Sequence, residues 1–284
     1  MKKLLAAITA GLLGFSLSAF DVFSYVPLNE EITGYTKTEY SIETKFGEYF
    51  KTVSKKIEHK IDASGHDVES IGYTARGVPE NKIQTVFDSV GNVMKQSCFD
   101  TKSGEDILLW TSEHIYKKGI KTESNDYDAD GELKGKTKYK FDNDLLTEET
   151  NYKGNGVLFS KIVYKYDEEK RIVKETRYLS NGSLDEESSF EYKEDGKIDT
   201  ITFTDSILGT IKKIFRYSDK GLVTEVTTYK VVSDSANIVT ERLVLKYDAQ
   251  NQISKISNYL VSEKFGTTVN ELNYMADYTY SYGE

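Results

Sequence analysis

One unit recurs through most of the chain, and it constrains the fold more than any other feature. Its cleanest copy is Tyr164–Tyr192. Tyr166 is an anchor, followed by Asp167, Lys170, Ile172, Lys174, Thr176 and Tyr178. Tyr178 opens a second half-unit with Gly182, Leu184, Phe190 and the next anchor, Tyr192. The same frame gives anchors at Ile61, Phe87, Ile115, Phe141, Tyr166, Tyr192, Tyr217 and Tyr247, spaced by 26, 28, 26, 25, 26, 25 and 30 residues. Mid-repeat aromatics stand at Tyr73, Phe99, Tyr127, Tyr152, Tyr178, Phe203, Tyr229 and Tyr259. A period held this tightly is the signature of a repeat architecture.

Within a half-unit the pattern is two-fold, as a strand requires. Even offsets put Ile172 and Tyr178 on one face, and Leu184, Phe190 and Tyr192 on one face. Lys134, Lys136, Lys138 and Lys140 alternate against Leu133, Tyr139 and Phe141. Glycine fills most turn positions, among them Gly65, Gly91, Gly196 and Gly221, because it reaches positive φ at little steric cost. Lys170 and Leu145 stand where glycine is expected, so those turns are predicted to differ. The expected fold is all-β: a long antiparallel β-meander of tandem hairpin repeats with a period of about 26 residues, elongated or curled as a sheet.

Met1–Ala19 reads as a signal peptide. Lys2 and Lys3 precede the apolar run Leu4–Phe15, and Leu17-Ser18-Ala19 offers small residues for cleavage. The junction holds no cysteine for a lipid anchor. Residues 20–60 are expected to be irregular N-terminal capping strands, and 61–284 the repeat array, with YTYSYGE as its C-terminal edge strand. Val231–Ile238 reads as an inserted loop and Val261–Thr267 as a longer turn. The whole is expected to be exported, to the periplasm, the cell surface or outside.

Charge excludes some partners. With 37 Lys and Arg against 46 Asp and Glu the net charge is −9, which argues against nucleic acid and anionic membrane surfaces. A single cysteine allows no internal disulfide. Tyrosine, at 21 residues, suits thin or one-sided cores.

The unit resembles the YD repeats of the Rhs family, with the MORN-variant type as second choice. The resemblance rests on Tyr164–Gly182, on YDADGEL at Tyr127–Leu133 and on KYDAQNQI at Lys246–Ile253, and covers roughly residues 60–260. It implies a long β-sheet that curls, and in some surface members carbohydrate binding or cell contact. With YTYSYGE following the repeats, the cargo role of large members is not expected.

No residue set stands out as catalytic. Asp126, Asp128 and Asp130 followed by Gly131 look like the start of a calcium loop, but residue 137 is threonine where such a loop has glutamate, and Tyr127-Asp128 with Gly131 is also the repeat's ordinary turn. His59, His66 and His114 are the only histidines and are scattered. Cys98, next to Phe99, is expected on the polar side of its strand. Acidic groups such as Asp185, Glu186 and Glu187 read as solvated strand faces. The expectation is a non-catalytic binding or structural module without cofactor or metal, with a glycan or a protein as ligand. The alternative is an outer-membrane β-barrel. Lys95, Lys174, Glu225 and Lys255, placed on the face of the apolar positions, argue against it, because lysine at mid-bilayer costs about 2–4 kcal/mol.

Overall fold

The structure is a computed structural model describing residues 28–205, 209–233 and 236–283. The signal-peptide segment lies outside the described residues. The strands are β1 (Ile32–Lys45), β2 (Glu48–Ile61), β3 (Asp67–Thr74), β4 (Pro79–Phe87), β5 (Val93–Asp100) and β6 (Ile107–Lys117). They continue as β7 (Ile120–Asp128), β8 (Leu133–Asp142), β9 (Leu145–Lys153), β10 (Leu158–Tyr166), β11 (Ile172–Leu179) and β12 (Leu184–Tyr192). The last six are β13 (Ile198–Asp205), β14 (Gly209–Tyr217), β15 (Val223–Ser233), β16 (Ala236–Tyr247), β17 (Ile253–Lys264) and β18 (Thr267–Tyr282).

Every strand pairs antiparallel with its sequence neighbours, as the meander requires. The elongated or curled sheet is corrected on one point: the sheet closes. β18 pairs with β1 from Ile32↔Tyr282 to Tyr40↔Met275, so the eighteen described strands form a β-barrel with no free edge at the seam's base. Closure removes the unpaired N–H and C=O rows that an open meander would leave at both ends.

The hairpins at one end repeat a single device. Asp167 N–H donates to the Arg171 carbonyl and Lys170 N–H to the Asp167 carbonyl. The same pair of bonds recurs from Asp62, Asp88, Lys193, Ser218 and Asp248. Aspartate side chains brace these turns: Asp88 Oδ1 accepts from the Val90 and Asn92 amides at 2.9 Å each. Lys170 takes φ 64° and makes the same bonds as its glycine counterparts, so its turn does not differ. The Leu145 turn does differ, being a two-residue turn at Asn143 and Asp144, with φ 48° and 64°.

A β-bulge follows each of these turns, and it overturns the expected faces. Lys165 pairs with Lys174, but Tyr166 pairs with Ile172, so one residue of β11 is extra. The shift recurs at Ile61↔Asp67, Phe87↔Val93, Tyr116↔Lys121, Phe141↔Leu146, Tyr192↔Ile198, Tyr217↔Val223 and Tyr247↔Ile253. Ile172 therefore faces inward while Lys174, Thr176 and Tyr178 face outward. A second bulge, where Tyr178 meets Leu184, separates Leu184 from Phe190 in the same way.

The apolar core lines the inner wall from β13 through β18 to β1 and β2. Phe215, Leu245, Ile253, Ile256 and Ala276 are at most 4 % exposed and belong to one cluster with Ile32, Tyr35 and Ile61. At the bulged end the tyrosines tie neighbouring strands together. The hydroxyls of Tyr116, Tyr166, Tyr192, Tyr217, Tyr247 and Tyr280 donate to the carbonyls of Val93, Leu146, Ile172, Ile198, Val223 and Ile253, at 2.6–3.0 Å. Each acceptor lies at the start of the preceding strand.

Most of the described residues read as an inserted loop and a longer turn are strand. β15 and β16 run to Ser233 and from Ala236, and only Phe265 and Gly266 separate β17 from β18. With β1 and β2 at 14 residues each, these strands make one side of the barrel taller.

Candidate functional site in the polar inner wall

The inner wall opposite the apolar cluster is polar and ionisable. Strand register places His114, Ser124, Thr137, Tyr139, Glu149 and Asn151 on one continuous face through β6–β9. The Tyr139 and Ser124 hydroxyls lie 3.0 Å apart, and Ser124 Oγ is 2.8 Å from His114 Nδ1. Burial, helped by the nearby Lys121 charge, lowers the His114 pKa to about 4, so the ring is neutral at pH 7. Thr137 donates to Asn151 Oδ1 at 2.7 Å, and Asn151 Nδ2 donates to Ser160 Oγ at 3.1 Å.

Carboxylates dominate the next part of the wall. Glu149 is 5 % exposed and accepts from the Tyr164 hydroxyl at 2.9 Å. Glu175 stands directly across from Tyr164 on β11. Arg177 pairs with Glu186 at 3.2 Å. Burial raises the pKa of Glu149, Glu175 and Glu186, while Arg177 pulls all three back. The same burial pushes Tyr139 up to about 12 and lowers Lys121 and Lys213. Lys121 Nζ lies 4.8 Å from the Tyr139 ring centroid. Buried ionisable groups cost stability, so such a row is a candidate binding surface.

Sequence reading missed this wall, and Glu186, taken as solvated, is part of it. The legible signal was parity: Glu149, Tyr164 and Glu175 sit opposite the lysine-bearing rows. Cys98 faces inward between Ile83 and Trp110, is 7 % exposed, and its thiol pKa is raised by burial.

The candidate metal ligands are not gathered. Asp128 Oδ1 accepts from the Asp130 and Glu132 amides, and its Oδ2 lies 2.7 Å from Lys134 Nζ. Asp126 is a strand residue and Asp130 an exposed turn residue. His59 pairs with Asp67 at 2.6 Å and stacks on Tyr35, whereas His66 pairs with Asp62 and stacks on Phe87. Among the described residues no group of three or more His, Cys, Asp or Glu is arranged to hold a metal ion.

The outer face is ringed with ion pairs between adjacent strands. Lys95–Glu113, Lys136–Glu123, Lys161–Glu148, Lys174–Glu187 and Lys255–Asp277 lie at 2.6–3.5 Å. Arg216 and Arg242 both meet Glu225. Among the described residues no helix is long and apolar enough to cross a membrane, which leaves spanning by strands untouched.

No family model and no curated protein matches the chain. Among solved structures it is similar to a porin-like protein from Bacteroides uniformis ATCC 8492, at 11 % identity and TM-score 0.47, over 88 % of this chain and 98 % of that one. A porin-like protein from Bacteroides vulgatus ATCC 8482 aligns at 10 % identity and TM-score 0.33, over 77 % and 98 %. The TcdB2-TccC3-Cdc42 structure aligns at 13 % identity and TM-score 0.30, over 84 % of this chain but 15 % of that one. At these scores the likenesses assign neither a family nor an activity, and the Rhs-type resemblance gains no support from them.

Proposed function

We propose that the chain is an exported, non-catalytic β-barrel of the cell envelope that acts by binding, with the polar inner wall as its binding surface. The observation behind this reading is the belt of outward ion pairs. Lysine facing hydrocarbon costs about 2–4 kcal/mol near the midplane, so five such residues would cost about as much as a whole domain's stability. β3, β5, β11 and β13 have only 8 residues each, short of the roughly 9–11 that a spanning strand needs. The inner wall, rich in hydroxyls and carboxylates, suits a hydroxyl- or amine-bearing ligand such as a glycan or a protein segment.

A second reading, an outer-membrane barrel, is favoured by closure itself. An eighteen-strand antiparallel meander closed on its first and last strands is the architecture of spanning barrels. Size-exclusion chromatography with light scattering separates the two, applied to the chain freed of residues 1–19 and purified without detergent. A monodisperse soluble particle is expected. Aggregation relieved only by micelles would reverse the order of the readings.

A further inference from the structure

The tall side of the barrel ends in two neighbouring hairpins with the same tip. Lys45-Phe46-Gly47 joins β1 to β2, and Lys264-Phe265-Gly266 joins β17 to β18. Phe46 and Phe265 are 103 % and 107 % exposed, more than any other large apolar side chain among the described residues.

Their backbones make that exposure unusual. Both phenylalanines have φ 53°, and Gly47 and Gly266 follow at 81° and 74°. These are two-residue turns between the paired ends Lys45↔Glu48 and Lys264↔Thr267. Asparagine is the favoured residue at the first position, and a bulky side chain at positive φ is strained. Among the described residues, the other turns of this type place Lys118 and Asn143 there. So two aromatic rings occupy strained positions while packing against none of the described residues.

The hairpins stand side by side. The Tyr49 hydroxyl on β2 donates to the Asn270 carbonyl and accepts from the Leu272 amide on β18, and Lys51 pairs with Asp277 at 3.3 Å. Tyr49, Phe50 and Leu260 add exposed apolar surface below the tips. Over Ser41–Thr52 two lysines offset two glutamates, so the first hairpin is neutral although the chain carries −9.

We infer that Phe46 and Phe265 are paired insertion tips that dock the tall side of the barrel on a zwitterionic lipid surface. Two convex aromatic points fit a deformable interface, and phenylalanine transfers favourably from water to its apolar interior. The near-neutral flanks remove the electrostatic penalty that the rest of this acidic chain would meet. The docking is peripheral and needs no strand to span the bilayer. It is independent of what the inner wall binds.

The test is co-sedimentation of the full barrel with phosphatidylcholine vesicles, and with vesicles containing phosphatidylglycerol, for the wild type and the F46N/F265N double variant. Asparagine suits both turns, so the variant's unfolding midpoint should stay level or rise. Wild type is expected to bind phosphatidylcholine without gain from the anionic lipid, and the variant to lose at least about tenfold in partitioning. Equal binding by both proteins, or no binding by wild type, overturns the inference. A wild-type dimer in light scattering that the variant abolishes, without vesicle binding, would assign the tips to a second copy instead.

Discussion

The Tyr164 hydroxyl donates to Glu149 Oε1 at 2.9 Å, diagonally between β10 and β9, and both side chains are almost wholly removed from water. Tyr164→Phe leaves the carboxylate buried with one donor fewer, at an expected cost of about 1–3 kcal/mol. The double variant with Glu149→Gln should cost less than the sum of the single changes, because the pair is coupled. Urea unfolding of the four proteins measures this. Burial raises the Glu149 pKa above its unfolded value. Its charged form therefore costs stability at neutral pH, and the cost fades as pH falls through the folded pKa.

His114 has the opposite sign. Its folded pKa of about 4 lies below the ordinary imidazole value of 6.5, so the unfolded chain binds the proton first. Its contribution is present above pH 6.5 and is lost as pH falls towards 4. The loss amounts to no more than about 3 kcal/mol. Lys121 and Tyr139 face the same patch, so the comparison must be with His114→Gln. Unfolding free energies of the two proteins should diverge below pH 6.5, with wild type falling faster. Parallel curves would show that the ring is not held neutral by its surroundings.

Lys170 sits at φ 64° where Gly65, Gly91, Gly196 and Gly221 stand at 78–88° and Asn251 at 61°. Lys170→Gly should stabilise the barrel by about 1 kcal/mol by relieving left-handed strain. Gly196→Lys, the reverse change in an equivalent turn, should destabilise it by a similar amount. Thermal midpoints of the two variants check both signs.

The tyrosine series at the bulged end predicts a small, repeated effect. Tyr192→Phe removes a 2.7 Å bond to the Ile172 carbonyl and should cost about 1 kcal/mol. Tyr217→Phe and Tyr247→Phe lie in other repeats and should add to it nearly independently. Denaturant titration of the single and triple variants gives the sum.

The repeat period and its turns could be read from sequence because both are local. Glycine at positive φ and aspartate two and four residues before the amides it braces leave a fixed spacing. The faces could not be read so simply, since one extra residue after each turn inverts a strand's parity. Ile172 and Lys174 look alike by spacing, yet the bulge between them turns one to the barrel interior and the other to the outer face. Lys174, Lys95, Glu225 and Lys255 do face outward, but on the opposite face from Ile172, not with it. Closure was hidden for a different reason. Tyr35 pairs with Tyr280 across sixteen intervening strands, and β1 carries no repeat signature to mark it as a partner. The inner wall was hidden because Glu149, Glu175 and Glu186 have the composition of a solvated face, and only their parity against the lysine-bearing rows marks them as inward.

The central claim is closure of the barrel between its first and last strands, and oxidative cross-linking tests it most directly. Thr36 and Thr279 are opposed across the β1–β18 seam. T36C/T279C in a C98S background should form an intramolecular disulfide in detergent-free monomer, giving one faster-migrating, reducible species. Failure to cross-link, or disulfide-linked dimers in its place, would mean that the two strands are open edges and that the barrel does not close.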